Sequence, residues 1–586
     1  MKTPMKTNVK RPRKRLGCSS WLLPTAAASM AIPWAALAQP APQVVVPQQG
    51  TPLLQIAPQP PANVGPGLKA APSAAPTAVP SGTMTIRAVA IEGSTVFPQP
   101  QLQAVAGNLV GPSTPLSNVE AARTGLLNLY RDNGYTFTTV DAVLGTDGTM
   151  HFQIGESQVT DVLLDGDIGP AGNQVLAFLN HLREVRPLNV AALERWLLLA
   201  KDIPGISVDA VLRPAGTAPG ALTLVAQVHR KAITGYLTAD NRADPNAGPE
   251  QALGVLQFNS FTSFGERTEL SFFGAARATQ IFGEASEEIY AGASGLTVRA
   301  YAGHGYIQPS GVLGSFGYDG ETTIVGAGAK YPLIRRRPYS LTLDASFDTL
   351  YTNVSLGDDV VGNNLQLGHD ALRVFRFGMI GAAYDQFLGE TRSAANQITA
   401  HLSQGLSIFG ATNELRLGAH TDFNKFAFQA TRLQTLFQPW PNATVSLQGT
   451  LAGQASDTVL PLAEKFYLGG GELERGFYAG QVTGDNALAA SAELQLTTNF
   501  NATAFGKPLQ FQPTFYTFYD WGETWENQSA DPNERLQSWG GGVRLPVNDR
   551  VEVQLEGVHR ITRQPNGAGS PELNANAIFW RLVLRL

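Results

Sequence analysis

From about residue 230 to the end of the chain, apolar and polar residues alternate one by one in successive segments. In Val551-Glu552-Val553-Gln554-Leu555-Glu556 one face carries Val, Val and Leu and the other Glu, Gln and Glu, as when successive side chains point to opposite sides of a sheet. The last segment sets Trp580, Leu582, Leu584 and Leu586 against Arg581, Val583 and Arg585. An earlier one sets Val445, Leu447, Gly449 and Leu451 against Ser446, Gln448 and Thr450. A bilayer accepts only helices and closed barrels, because an unpaired backbone group in hydrocarbon costs several kcal/mol. The pattern therefore predicts a transmembrane antiparallel β-barrel with an apolar outer face and a charged, wet lumen. A soluble β-sandwich or propeller alternates in the same way, so the choice turns on the N-terminus.

Residues 1–38 open with Lys2, Lys6, Lys10, Arg11, Arg13, Lys14 and Arg15 and hold no acid. A moderately apolar run and Ala36-Leu37-Ala38 follow, which reads as a secretory leader with its cleavage site. Pro24 and Pro33 make that run a poor permanent helix. Cys18 precedes the apolar run, so it does not form a lipid-attachment box, and Arg13-Lys14-Arg15 lacks the arginine pair of a twin-arginine signal. Losing the leader takes seven positive charges from a net charge of −5, leaving −12, and removes the single cysteine. The exported chain then has no disulfides and no thiol chemistry. Its acidic balance argues against a nucleic-acid partner.

Residues 39–83 are rich in Pro, Ala and Gln without a sustained period, an extended linker by composition. It is read as a spacer, with threading into a pore or contact with cell-wall material as alternatives. Two modules of similar pattern follow. The first, 84–157, predicts strand 85–92, helices 101–108 and 117–133, and strands 137–143 and 150–155. The second, 158–230, predicts strand 158–164, helices 173–183 and 189–202, and strands 207–213 and 221–228. Leu193, Trp196, Leu197 and Ala200 recur at helical spacing, while Gly134 and Pro204-Gly205 stand where helices stop. The fold class is thus mainly β with α+β modules, the barrel occupying 231–586. That stretch allows about 22 residues for each of sixteen strands with its connection, and twelve or eighteen would also fit.

The order β-α-α-β-β, used twice before a barrel, resembles the polypeptide-transport-associated (POTRA) domains of two-partner secretion transporters, the haemolysin/haemagglutinin secretion-activation family. Tyr130-Arg131-Asp132-Asn133-Gly134-Tyr135 is similar to the helix end and glycine turn of the first such domain. Pro187-Leu188, Leu193-Glu194 and Ile203-Pro204-Gly205 are similar to the second. Asp240-Asn241 with Gly248 resembles the opening of the first barrel strand, and Tyr331-Pro332-Leu333-Ile334-Arg335 a recurrent strand-to-turn segment. The resemblance spans about 84 to 586 and implies sixteen strands.

Leu468-Gly469-Gly470 with Arg475-Gly476-Phe477, and Phe518-Tyr519-Asp520-Trp521-Gly522, carry the resemblance furthest. It implies that Arg475, Gly476 and Phe477 form the tip of a long extracellular loop folded back into the lumen. Phe518, Asp520 and Gly522 would then lie on the wall facing it, Arg475 pairing with Asp520. An arginine fork matches a carboxylate bidentately, Gly476 permits a turn other residues resist, and Gly522 leaves room for close approach. Read without the resemblance, Arg475 and Asp520 are two of many lumenal charges. Glu474 departs from the family pattern, which often has a small apolar residue there, and sets a competing carboxylate beside Arg475. The final Leu586 stands where such strands often end in an aromatic.

No H-E-x-x-H, G-x-S-x-G or metal-spaced cluster occurs, and Gly469-Gly470-Gly471 lacks the Lys-Ser/Thr of a phosphate cradle. The reading is therefore neither an enzyme nor a cofactor protein, and it needs no metal. The resemblance implies an outer-membrane translocator whose POTRA domains, in the periplasm, bind an unfolded haemolysin- or adhesin-like exoprotein and pass it through the barrel without ATP. Barrel-assembly machinery and periplasmic chaperones would be its partners during biogenesis. A barrel-assembly insertase and a passive diffusion channel are the alternatives. The first usually carries more POTRA domains, and the second has no use for them.

Overall fold

The computed structural model describes residues 64–66 and 82–586, except 167–168, 217, 358–364, 505–506, 530 and 568–570. The leader 1–38 and nearly all of the linker 39–83 lie outside the described residues.

In the first module, helix Leu116–Asp132 buries Val119, Ala122, Leu126, Leu127 and Tyr130, the stripe expected of a helix laid on a sheet. It packs with Gln99–Ala106 against strands Ala88–Glu92, Thr149–Gly155 and Thr139–Leu144, paired in that order. One expected strand, 85–92, is two. The chain bends at Arg87, whose N–H donates to Gly148 O at 2.8 Å. Thr83–Ile86 then leaves the sheet to pair with Gly111–Pro115 in a separate ribbon. Pro112 and Pro115 argue against a strand by composition, yet a two-stranded edge ribbon accommodates proline.

The second module repeats the order: strand Gln158–Gly166, helix Gly172–Asn180 with a 3₁₀ turn His181–Arg183, helix Val190–Lys201, then strands Ile206–Pro214 and Ala221–Arg230. Asn189 caps the second helix, its Oδ1 accepting from Ala192 N–H at 2.8 Å. The last strand is central, parallel to the first and antiparallel to Ile206–Pro214.

Sixteen antiparallel strands among the described residues, from Ile233–Asp240 to Asn576–Arg585, close a barrel. The short hairpin Phe500–Ala504 and Lys507–Phe511 extends strands 12 and 13, Asn486–Thr498 and Thr514–Trp525, which pair directly. Alternation sorts the two faces: Val553 and Leu555 are exposed outward, whereas Glu556 is 1% exposed in the interior. The closing seam between strands 1 and 16 has a short ladder, from Asp240–Arg581 to Tyr236–Arg585. Asn241 lengthens it with its side chain, which donates to Ile578 O at 3.1 Å and accepts from Trp580 N–H at 2.9 Å.

The second module docks onto the barrel turns at the end where it attaches. Tyr290, from barrel strand 4 (Gln280–Tyr290), enters the module's apolar core and meets Phe178 edge-on at 5.3 Å. Gln174 donates to Gly292 O, Ser260 to Pro204 O, and Arg195 to Pro332 O and Leu333 O. Arg335 grips Asp202 with two bonds of 2.7 Å. The Tyr331–Arg335 segment is thus the far end of this dock.

Candidate functional site: a loop pinned inside the barrel

Residues 457–485 connect strands 11 (Ala443–Ser456) and 12 at the end opposite the modules, and they turn inward. A 3₁₀ turn, Leu462–Glu464, leads into a small hairpin, Phe466–Leu468 with Val482–Gly484. The excursion beyond it carries Arg475 into the lumen, where it is 4% exposed.

Tyr516, Phe518 and Asp520 stand at alternate positions of strand 13, so all three face inward. Arg475 Nε and Nη2 donate to the two carboxylate oxygens of Asp520 at 3.0 and 2.9 Å, and the Arg475 N–H donates to Oδ2 at 2.9 Å. Nη2 also reaches Ser491 Oγ at 3.0 Å, Nη1 pairs with Glu493, and the guanidinium lies 3.7 Å from the Phe518 ring centre. Asp520 is fully buried and takes a further bond from Ser491. Each buried charge therefore has several partners, the condition under which such groups are tolerated away from water.

The glycines fit by close approach. A Cβ on Gly476 would lie 2.5 Å from Ser538 Cβ, and one on Gly522 would lie 2.6 Å from Leu468 Cδ2. Gly476 N–H donates to Ser538 Oγ at 3.2 Å and its carbonyl accepts from Arg560 Nε at 2.5 Å. Phe477 is fully buried with Leu468, Val482, Ala489 and Leu536. The adjacent carboxylate of Glu474 does not take Arg475. At φ +57° its backbone sends the side chain to Ser538, where Oε2 accepts at 3.3 Å and Oε1 has no hydrogen-bond partner among the described residues.

Other groups at this site were not singled out by sequence reasoning. Arg242 donates to the carbonyls of Arg475 and Gly470, pairs with Glu556 and lies over Phe579. Arg544 holds Glu493 at 2.7 and 2.9 Å. The base of the loop has its own anchors: Glu464 between Arg376 and Lys425, both 2.6 Å away, Asp485 on Arg416, and Lys465 on Glu526. For Glu493, Arg544 and Glu556 the only signal in the sequence is a charge at an inward position, which marks the side of the wall and not the partner, and the charges on connecting segments carry no such mark.

The ShlB-type POTRA domain model matches residues 84–156. The model for haemolysin secretion/activation protein ShlB/FhaC/HecB matches residues 221–545, more than half of the chain. Among solved structures, CdiB from Escherichia coli is similar with a TM-score of 0.68, 16% identity, and coverage of 89% of this chain and 94% of that one. CdiB from Acinetobacter baumannii gives 0.60 at 14% identity, over 91% and 95%. At these identities the likeness is one of fold. No curated protein matches the chain. The family model, the POTRA domain and the sixteen-strand barrel together place this chain in the haemolysin secretion/activation family ShlB/FhaC/HecB.

Proposed function

We propose that this member of a family of outer-membrane exoprotein transporters captures one haemolysin- or adhesin-like cargo, unfolded, in the periplasm and passes it through the lumen without ATP. The observation that carries this reading is the buried Arg475–Asp520 contact, which holds a loop inside the barrel. The second POTRA module sits beneath the barrel, at the end where cargo would enter.

Capture uses free strand edges. Gln158–Gly166 and Ile206–Pro214 flank the second module's sheet, and they expose Leu163 at 55% and Val211 at 56%. An extended segment adds to such an edge through backbone hydrogen bonds, its side chains meeting the exposed apolar positions. Net transport is drawn forward by the cargo folding outside. Barrel-assembly machinery and periplasmic chaperones are its partners during biogenesis.

The test is secretion. The chain is expressed with the large exported protein encoded beside it, and medium, periplasm and outer membrane are immunoblotted, with Arg475→Ala in parallel. Cargo reaches the medium with the intact chain and is retained or degraded in the periplasm with the variant. Cargo in the medium without the chain overturns the reading and leaves barrel assembly or solute diffusion to be tested.

A further inference from the structure

The inner wall of the barrel is not uniform. Strands 12, 13, 14 (Glu534–Val547) and 15 (Val551–Arg560) and the segment after strand 1 supply Glu493, Asp520, Arg544, Glu556, Arg560 and Arg242, all engaged with the loop or with one another. Leading away from the loop contacts, one row of register partners crosses strands 7 (Tyr339–Leu356), 8 (Leu365–Asp385), 9 (Ala394–Gly405), 10 (Asn424–Phe437), 11 and 12: Ser340, Ala382, Gln397, Thr431, Thr450 and Ser491. Its next partner is Asp520. Since Ser491 and Asp520 touch Arg475 of the inserted loop, the whole row faces the lumen. The adjacent inward row, from Thr342 to Ala489, is likewise uncharged. A cavity of about 600 Å³ lies along the first row.

The row has a beginning and a bound. Ser340 follows the turn after Arg335, which is locked to Asp202 of the second POTRA module. Further toward the opposite end the wall becomes charged, first with Asp344 and His401, then with Arg376 and Lys425 on Glu464. Between these limits it offers uncharged side chains, Ala382 beside Gln397 and the hydroxyls of Thr431 and Thr450, with their Oγ1 atoms 3.3 Å apart.

We propose that this row is the track along which an extended, unfolded polypeptide travels, beside a loop whose tip remains pinned. The proposal rests on the reading above that the protein exports such a chain. A conduit needs contacts favourable enough for entry and weak enough for release. A surface without charge selects no cargo sequence electrostatically, and its hydroxyls exchange hydrogen bonds with whatever amide passes. Small side chains also leave room for the varied side chains of the cargo. The opposite wall meets none of these conditions, because its charges are already committed.

Because Cys18 is the only cysteine in the whole sequence, engineered thiols report without background from the exported chain. Single variants Thr431→Cys and Thr450→Cys mark the track, Gln554→Cys the opposite lumenal wall, and Ile398→Cys the lipid face. Each is made in the full chain in outer membranes. The probe is the exoprotein encoded beside it, carrying one cysteine and stalled by a folded C-terminal fusion, with a short bis-maleimide as crosslinker. Crosslinks are expected at 431 and 450 and absent at 554 and 398. Crosslinks at 554 without 431 and 450 overturn the track and leave lumenal export standing. Secretion that persists with no crosslink at any lumenal position overturns the track and the lumenal route together. Thr431→Arg adds charge away from every loop contact, so it is expected to slow secretion while Arg475 stays protected from protease. Unchanged secretion with Thr431→Arg counts against the track.

Discussion

Two pieces outside the barrel wall are fixed to it by different physics: the loop tip inside the lumen and the second α+β module beneath it. The tip is held by charge, with the buried Arg475 set between Asp520, Glu493 and Ser491. The module is held mainly by shared apolar core, with Tyr290 of the barrel inserted beside Phe178 and a peripheral Arg335–Asp202 pair. A buried ionic contact fails steeply when one partner is lost, because a charge remains unpaired. An apolar seam with a rim ion pair fails gradually. The difference suits a loop that has a defined docked state and a module that stays part of the barrel mouth.

The largest expected effect comes from Arg475→Ala, which strands Asp520 while Glu493 keeps Arg544. Loss of one partner of a buried pair costs about 3–5 kcal/mol. The loop then becomes susceptible to protease added outside intact cells. Arg475→Ala with Asp520→Ala removes the orphaned charge, and protection should recover in part. Equal digestion of the single and double variants would show that the lost side chain, and not the unpaired carboxylate, loosens the loop.

Tyr290→Ala tests the other region and is expected to weaken docking of the second module by about 3 kcal/mol, as for removal of a buried aromatic. Hydrogen exchange in outer-membrane preparations should accelerate in helices Gly172–Asn180 and Val190–Lys201 and leave the Arg475 loop unchanged. Acceleration in both regions would erase the distinction drawn between them. Asp202→Ala is milder, about 1–3 kcal/mol, since the buried Arg335, 8% exposed, loses its carboxylate while the apolar contacts persist.

The barrel was legible in the sequence because alternation is a local property: Val553 and Leu555 against Glu556 needs no knowledge of the rest of the chain. Both helices of the second module were legible for the same reason. The ribbon Thr83–Ile86 with Gly111–Pro115 was not, since its prolines argue against a strand and its pairing joins distant segments. At the loop, the Arg-Gly-Phe and Phe-x-Asp-x-Gly motifs brought Arg475 and Asp520 forward by resemblance, and the structure sets them 2.9 Å apart. Glu493, Arg242 and Arg560 had no comparable mark. Period-two patterning tells which way a side chain points, whereas its partner across the lumen depends on barrel closure and on the path of the loop.

The first POTRA module provides the internal reference for both regions, since its key polar contact is local to it. Glu156 accepts from Thr95 N–H and from the Tyr130 hydroxyl, at 2.8 and 2.7 Å. Burial opposes ionisation of this carboxyl, but those hydrogen bonds, with others from the Thr95 hydroxyl and Val96, outweigh it and hold the pKa below the usual value. A carboxyl lowered in the folded state contributes stability above its unfolded pKa, and the contribution is lost as pH falls through the folded value. Lowering the pH from 7 to 3 should therefore lower hydrogen-exchange protection around 130–156 in the wild-type chain, once rates are divided by the intrinsic amide rate at each pH. Glu156→Gln should begin with the lower protection and remove this group's share of the pH response. Because neither Arg475 nor Tyr290 takes part in that titration, Glu156→Gln should leave protease protection of the loop and exchange in the second module unchanged. A change in either would mean that the first module is coupled to the barrel mouth and is not an independent arm.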